Sequence, residues 1–187
     1  MFVFWMLLAI IVAVIMWLIS TYNLLVALRN QVLNGWKQID VQLKRRHDLI
    51  PNLVDTVKGV MSYEQKTLTM VIEARNKAMA AQGVADKAAQ ENMLTGALRQ
   101  LFALVENYPN LKANENVTRL QEELVSTENR IGFARQFYND IATKFNTAQQ
   151  SFPANMVAQT FGFRTQELFE ITDASEKEVP RVDLNIK

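Results

Sequence analysis

The residues best placed to do chemistry form one run, Lys44, Arg45, Arg46, His47 and Asp48, in a chain of 187 residues with a single histidine and no cysteine. Any acid–base or nucleophilic centre would have to be built around His47. No glycine-rich phosphate loop, hydrolase elbow or zinc motif accompanies it. The absence of cysteine removes disulfides, thiol nucleophiles and thiolate metal sites together. A bundle-type di-iron centre needs two Glu-x-x-His pairs, which one histidine cannot supply. Glu64, Glu73, Glu122, Glu123 and Glu128 offer an all-carboxylate alternative for a hard cation, but carboxylates are also what solvated helix faces carry. No catalytic, cofactor-binding or metal-ligating residue is therefore assigned, no cofactor is expected, and the chain does not read as an enzyme.

The basic run has a second use, in recognition. Arg46 falls on an apolar stripe, where an arginine lays its stem along the core and pairs at its tip, with Asp48, Glu122 or Glu123 as the nearest candidates. Asn34, Asp40, Asn52 and Asp55 belong to the same network or face another subunit. Arg45, Arg46, His47, Asp48, Asn52 and Asp55 are thus the candidate interaction or polar-network residues. A second candidate set, Phe152, Met156, Phe161, Phe163 and Phe169, follows the last long helix in a segment too short to form its own core. It must cover the bundle or meet another subunit, since aromatics and methionine are enriched at interfaces. With 20 basic and 19 acidic residues the net charge is +1, so no global field draws nucleic acid, which is not expected as a partner.

The elements that position these residues are all helical. Phe2 to Ile19 is uninterrupted apolar sequence, and a helix carried on to Tyr22 spans the roughly 30 Å hydrocarbon layer. Trp5, Trp17 and Tyr22 lie toward its ends, where amphipathic rings favour the interface. It lacks the basic n-region and small-x-small site of a signal peptide, so it reads as an uncleaved anchor over residues 1–22. Arg29 and Lys37 follow the span, and the positive-inside rule then puts the N-terminus outside and the soluble domain in the cytoplasm. On a straight helix the basic run lies ~35 Å beyond the span, out of reach of its own bilayer at a screening length of about 10 Å.

Beyond the span, Leu25, Leu28, Val32, Trp36, Ile39, Leu43, Arg46, Ile50, Leu53, Val57 and Val60 recur by threes and fours, so anchor and first bundle helix read as one rod, with a kink near Arg46 to Ile50 caused by Pro51. A second helix opens at Ser62 with a capping box to Gln65 and ends before Gly83. A third runs from about Asp86 until Pro109 stops it. The fourth, capped by Asn114, carries a heptad seam of Val117, Leu120, Leu124, Thr127, Ile131, Ala134, Tyr138, Ile141, Phe145 and Ala148. Short connections make sequential neighbours antiparallel. The expected architecture is all-α: an N-terminal transmembrane helix continuous with an antiparallel up-and-down bundle of about four helices over residues 23–150. The aromatic segment at 151–172 and a charged, alternating tail at 173–187 follow.

The stretch YNLLVALRNQVLNGWKQIDVQLKRRHDLIPNLVDTVKG from Tyr22 to Gly59 closely resembles the signature of the LemA family of bacterial membrane proteins. So do Glu73-Ala74-Arg75, YPNLKANENVTRLQEELVSTENRIGFARQFYND from Tyr108 to Asp140, and SFPANMVAQTFGF from Ser151 to Phe163. The resemblance covers nearly the whole chain and implies a helical bundle behind an N-terminal anchor in the bacterial cytoplasmic (inner) membrane; it implies no reaction. His47 stands where an aromatic is often found, and the ending Leu184-Asn185-Ile186-Lys187 replaces a short aromatic one. The first functional expectation is a self-associating, membrane-anchored scaffold or adaptor, a homo-oligomer whose other partner is the lipid bilayer. The alternative is an accessory or sensor subunit that binds another membrane protein or protease through Lys44 to Asp55. A carboxylate-based metalloenzyme ranks third.

Overall fold

The computed structural model describes residues 1–61 and 63–169, and among them there is no strand. Four long helices, α1 (Phe2–Lys58), α2 (Gln65–Ala80), α3 (Val84–Val105) and α5 (Glu115–Gln150), are joined by the short α4 (Pro109–Lys112) and followed by α6 (Ala154–Thr160). The architecture is the expected all-α one, an N-terminal apolar helix running on into bundle-like packing. The alternating tail, and Ser62 with its half of the capping box, lie outside the described residues.

α1 is one helix from Phe2 to Lys58, so Pro51 does not end it. An interior proline costs about 3 kcal/mol. Ile50, Leu53, Val54 and Val57 around it are all buried, and at roughly 1.5–3 kcal/mol for each buried aliphatic that burial outweighs the lost N–H bond. The stripe behaves as its spacing predicts through Val57. It fails at Val60, which is exposed because the helix has already ended; Met61 takes the core position instead. α2 begins at Gln65, with Glu64 in the cap position, three residues later than expected. α3 begins slightly before Asp86, after Gly83 at φ 79°, a left-handed conformation suited to glycine. The Asp86 carboxylate reaches back to accept the Gln82 N–H at 3.1 Å. Pro109 does not directly stop α3, which ends at Val105; it opens α4, where its missing N–H costs nothing. The Asn114 cap is present, its Oδ1 accepting the Asn116 N–H at 2.9 Å.

The chain forms two compact units, described separately. The first comprises residues 1–49 and 120–169, and the second takes the described residues between Ile50 and Arg119. In the first, α1 and α5 lie antiparallel. Leu25, Val32, Ile39 and Leu43 of α1 are buried, as are Leu124, Ile131, Tyr138, Ile141 and Phe145 of α5. In the second, α2 and α3 form an antiparallel hairpin whose core is aliphatic and alanine-rich, with Leu68, Val71, Ala78, Ala88, Leu94, Leu98 and Leu101 buried.

The N-terminal stretch of α1 is long and apolar enough to cross a membrane, and none of its most apolar window is buried. A core helix of a soluble domain would be covered by its neighbours; this one presents apolar side chains on every face.

Candidate interaction site

The centre of the first unit is built from polar groups set into the α1–α5 seam. Arg46, fully buried, is held by Glu128, with Nη1 to Oε2 at 3.0 Å. This corrects the expected partners Asp48, Glu122 and Glu123. Antiparallel register, rather than sequence proximity, decides which carboxylate arrives opposite the guanidinium. His47 is buried beside it, whereas Arg45 and Asp48 are exposed.

About three turns nearer the N-terminus α1 meets α5 at Gly35, where an added Cβ would stand 3.4 Å from the Tyr138 Cα. Next to it the Trp36 ring packs on Tyr138 (5.5 Å between centroids) and on Phe169 (6.1 Å).

After α6 the chain turns at Gly162 (φ 71°) and runs without helix through Phe163 to Phe169, back along the helix pair. Two asparagines seven residues apart on α5 clasp this strap. Asn146 donates from Nδ2 to the Gln166 carbonyl and accepts the Gln166 N–H at Oδ1, both at 2.8 Å. Asn139 does the same at Phe169, at 3.1 and 2.8 Å. Each carboxamide thus satisfies one backbone donor and one acceptor, as a neighbouring strand would. Between them the Tyr138 hydroxyl donates to the Glu167 carbonyl at 2.8 Å. Burial first, and the Glu167 charge second, hold this phenol above the usual tyrosine range. The Arg135 guanidinium stacks 4.6 Å from the Phe169 ring centre.

The expected aromatic set is therefore divided. Phe169 is buried under Trp36 and Arg135, and Phe163 is half-buried between Arg29, Tyr22 and Phe145. Phe152, Met156 and Phe161 are exposed. Asn139 and Asn146, which do most to hold the strap, were not legible as site residues. Their available signal was two carboxamides at heptad spacing beside the seam of a helix otherwise read for its apolar positions.

A different face of the same unit is apolar and uncovered. Leu33 and Val41 of α1 and Val125, Phe133 and Phe137 of α5 are all exposed, Phe133 by 73%. Val41, Phe133 and Phe137 line a groove of about 590 Å³ whose cations are Lys37 and Arg130. The Gln42 Oε1 atom in that lining is buried and accepts no hydrogen bond within the described residues.

In the second unit Asn52 and Asp55 are exposed. Asp55 shares a groove of about 510 Å³ with Lys58, Glu73, Met61 and Ile72. Tyr108 donates to Glu64 across 3.4 Å, and its hydroxyl is raised above the usual range by desolvation first and the Glu64 charge second. Among the described residues no three His, Asp or Glu side chains converge as a metal site.

The chain is similar to several known proteins. Protein LemA of Metamycoplasma hominis is 27% identical over 161 residues, covering 84% of this chain and 70% of that protein. Magnetosome protein MamQ 2 of Paramagnetospirillum magneticum and magnetosome protein MamQ of Magnetospirillum gryphiswaldense are each 24% identical over 192 residues, covering 89% of this chain and 71% of the relative. None of these names is that of an enzyme, and together with the exposed apolar helix they fit a membrane protein. The family model for LemA matches residues 35–184, most of the domain beyond the apolar segment, and the chain belongs to the LemA family.

Proposed function

We propose that this protein is a membrane-anchored scaffold or adaptor that self-associates and has no catalytic chemistry of its own. The observation that carries the reading is the uncovered face of the first unit. Leu33, Lys37 and Val41 are four residues apart on α1, as are Phe133 and Phe137 on α5, so the exposed apolar side chains form two parallel ridges suited to receiving another helix pair. Contiguous apolar surface of this kind marks an interaction site in a soluble domain. A second copy, supplying the same ridges, is the simplest occupant. Arg29 and Lys37 beyond the apolar segment favour a domain on the cytoplasmic side of a bacterial inner membrane, with the N-terminus outside.

A second reading has its own observation. The groove containing Asp55 and Glu73 fits an accessory subunit that docks another membrane protein or protease. Of the residues expected to serve it, Arg46 pairs with Glu128 and is buried, as is His47, and Asp55 is the one that lines this groove.

One experiment separates the two. Full-length protein carrying a C-terminal reporter active only in the cytoplasm, and a photocrosslinker at Phe133, is irradiated in its native membrane. An active reporter and a self-adduct are expected. An inactive reporter would reverse the orientation, a monomer alone would remove self-association, and an adduct with a different membrane protein from a second crosslinker placed at Thr69, in the Asp55 groove, would favour the accessory role.

A further inference from the structure

We infer that the turn after α5, carrying Phe152, Met156 and Phe161, is a second membrane contact that inserts into the interfacial layer of the same bilayer that α1 crosses. The inference rests on α1 being a span, and it assigns to lipid three side chains whose composition alone suggests a protein interface.

Register supplies the geometry. Arg46 meets Glu128, and Trp36 meets Tyr138, so ten residues back along α1 correspond to ten residues forward along α5. Continuing that register to the end of α5 brings Gln150 level with Leu24, two residues short of Tyr22. The ring contacts agree, because Phe163 touches Phe145 and Arg29 on one side and Tyr22 on the other, and Phe161 stacks on Tyr22 at 4.8 Å. Tyr22 is three residues beyond Ile19, the last residue of the apolar run, or about 4.5 Å along a helix. The headgroup layer beyond the hydrocarbon is roughly 5–7 Å deep on each side, so the turn lies within it.

What the turn exposes at that level is apolar. Phe152 is 81% exposed, Met156 62% and Phe161 60%, and Leu24 of α1 adds a further uncovered aliphatic. Val157 and Ala158, on the other side of α6, are buried. α6 therefore has an inner face that seals the end of the helix pair and an outer face without a partner. An amphipathic element of this kind buries its apolar face about 5–10 Å into the headgroup and acyl boundary.

Charge points the same way. No acidic residue occurs before Asp40 or between Asp140 and Glu167, while Arg29, Lys144 and Arg164 fall within those stretches. A surface formed by stretches without carboxylates, among the described residues, and edged with cations suits anionic phospholipid. A single span leaves its domain free to rotate about the helix axis. A span with an adjacent inserted foot fixes that rotation, and so fixes where the Phe133 face points relative to neighbouring copies.

The chain's lack of cysteine makes the test direct. Single variants Phe152→Cys and Met156→Cys, neither of which removes a ring contact described above, are spin-labelled in the full-length protein. The protein is reconstituted in vesicles of phosphatidylethanolamine and phosphatidylglycerol, with Ile11→Cys and, at an exposed polar position of α3, Gln100→Cys as references. Relaxation by oxygen and by a water-soluble nickel chelate is then compared. Oxygen should dominate at positions 152 and 156 as it does at 11, with the order inverted at 100. If 152 and 156 instead follow 100 while 11 remains in lipid, the foot is overturned and the span stands. If nickel reaches 11 as well, the spanning reading falls and this inference with it. Labels at 152 and 156 closed to both reagents would mean that a second protein surface covers the turn, which also overturns it.

Discussion

The two compact units are both helical, yet they are held by different means. The α2–α3 hairpin buries leucine, valine and alanine, and Glu91 is its one buried charged side chain among the described residues. The first unit buries Arg46, His47, Thr127 and Gln149 and adds the hydroxyl and carboxamides that clasp the strap. An aliphatic interface tolerates sliding and repacking, whereas a polar clasp is satisfied in only one register. The unit that carries the apolar segment and the uncovered apolar face is thus the one whose geometry is fixed by directional bonds. That is what a protein needs if it presents a surface at a set angle to a membrane.

The largest expected effect tests whether the clasp is structural. The double variant Asn139→Ala with Asn146→Ala removes four hydrogen bonds to the strap backbone. At about 1 kcal/mol each that is roughly 4 kcal/mol, comparable to deleting a core side chain. Limited proteolysis should cut the variant between Arg164 and Leu168 far faster than the parent while α2 and α3 stay resistant. Unchanged cleavage would mean that Phe163 and Phe169 alone hold the strap, and the contrast between the units would weaken.

The buried arginine comes next. Glu128→Ala removes the carboxylate that Arg46 meets at 3.0 Å, whereas Arg46→Met removes the charge and keeps much of the volume. Loss of one partner from a fully buried pair costs about 3–5 kcal/mol. Glu128 is 39% exposed, so the expected cost is nearer 2 kcal/mol, because water replaces part of what the carboxylate supplied. Arg46→Met should cost less than Glu128→Ala in chemical denaturation. The opposite order would show that the arginine stem, rather than its charge pairing, is what the seam uses.

How much of this could be read from the sequence depends on whether the signal was periodic. The stripe on α1 and the heptads of α5 report burial directly, and every heptad position named on α5 is buried or half-buried in the structure. Arg46 was legible as a core arginine because it interrupts a stripe. Its partner was not, since Glu128 lies 82 positions away and only the register of two helices brings it there. The strap escaped for a related reason: it is extended chain satisfied by side chains of a helix, and neither period applies to it. Phe152 and Phe169 looked alike as aromatics in one short segment. One is exposed and the other buried because Gly162 reverses the chain between them.

The smallest effect is a pH dependence, and it isolates one bond of the clasp. The Tyr138 phenol is raised above its unfolded value of about 10 by burial and by the Glu167 charge. Between the unfolded and the folded pKa the folded state therefore binds more protons than the unfolded one, and stability must fall as pH rises through that window. Below pH 10 both states hold the proton and the contribution is fully present. Tyr138→Phe removes the donor to the Glu167 carbonyl and should lower stability by about 1 kcal/mol at neutral pH. Since the variant cannot ionise there, its deficit relative to the parent should stay constant to about pH 9 and shrink above pH 10. Paired denaturation curves at several pH values measure that difference while the other tyrosines and the lysines, common to both proteins, cancel. A deficit that is the same at pH 7 and pH 11 would mean that the hydroxyl titrates as it does in the unfolded chain. The strap would then not exclude water from the bond, and the directional hold on the strap would rest on Asn139 and Asn146 rather than on Tyr138.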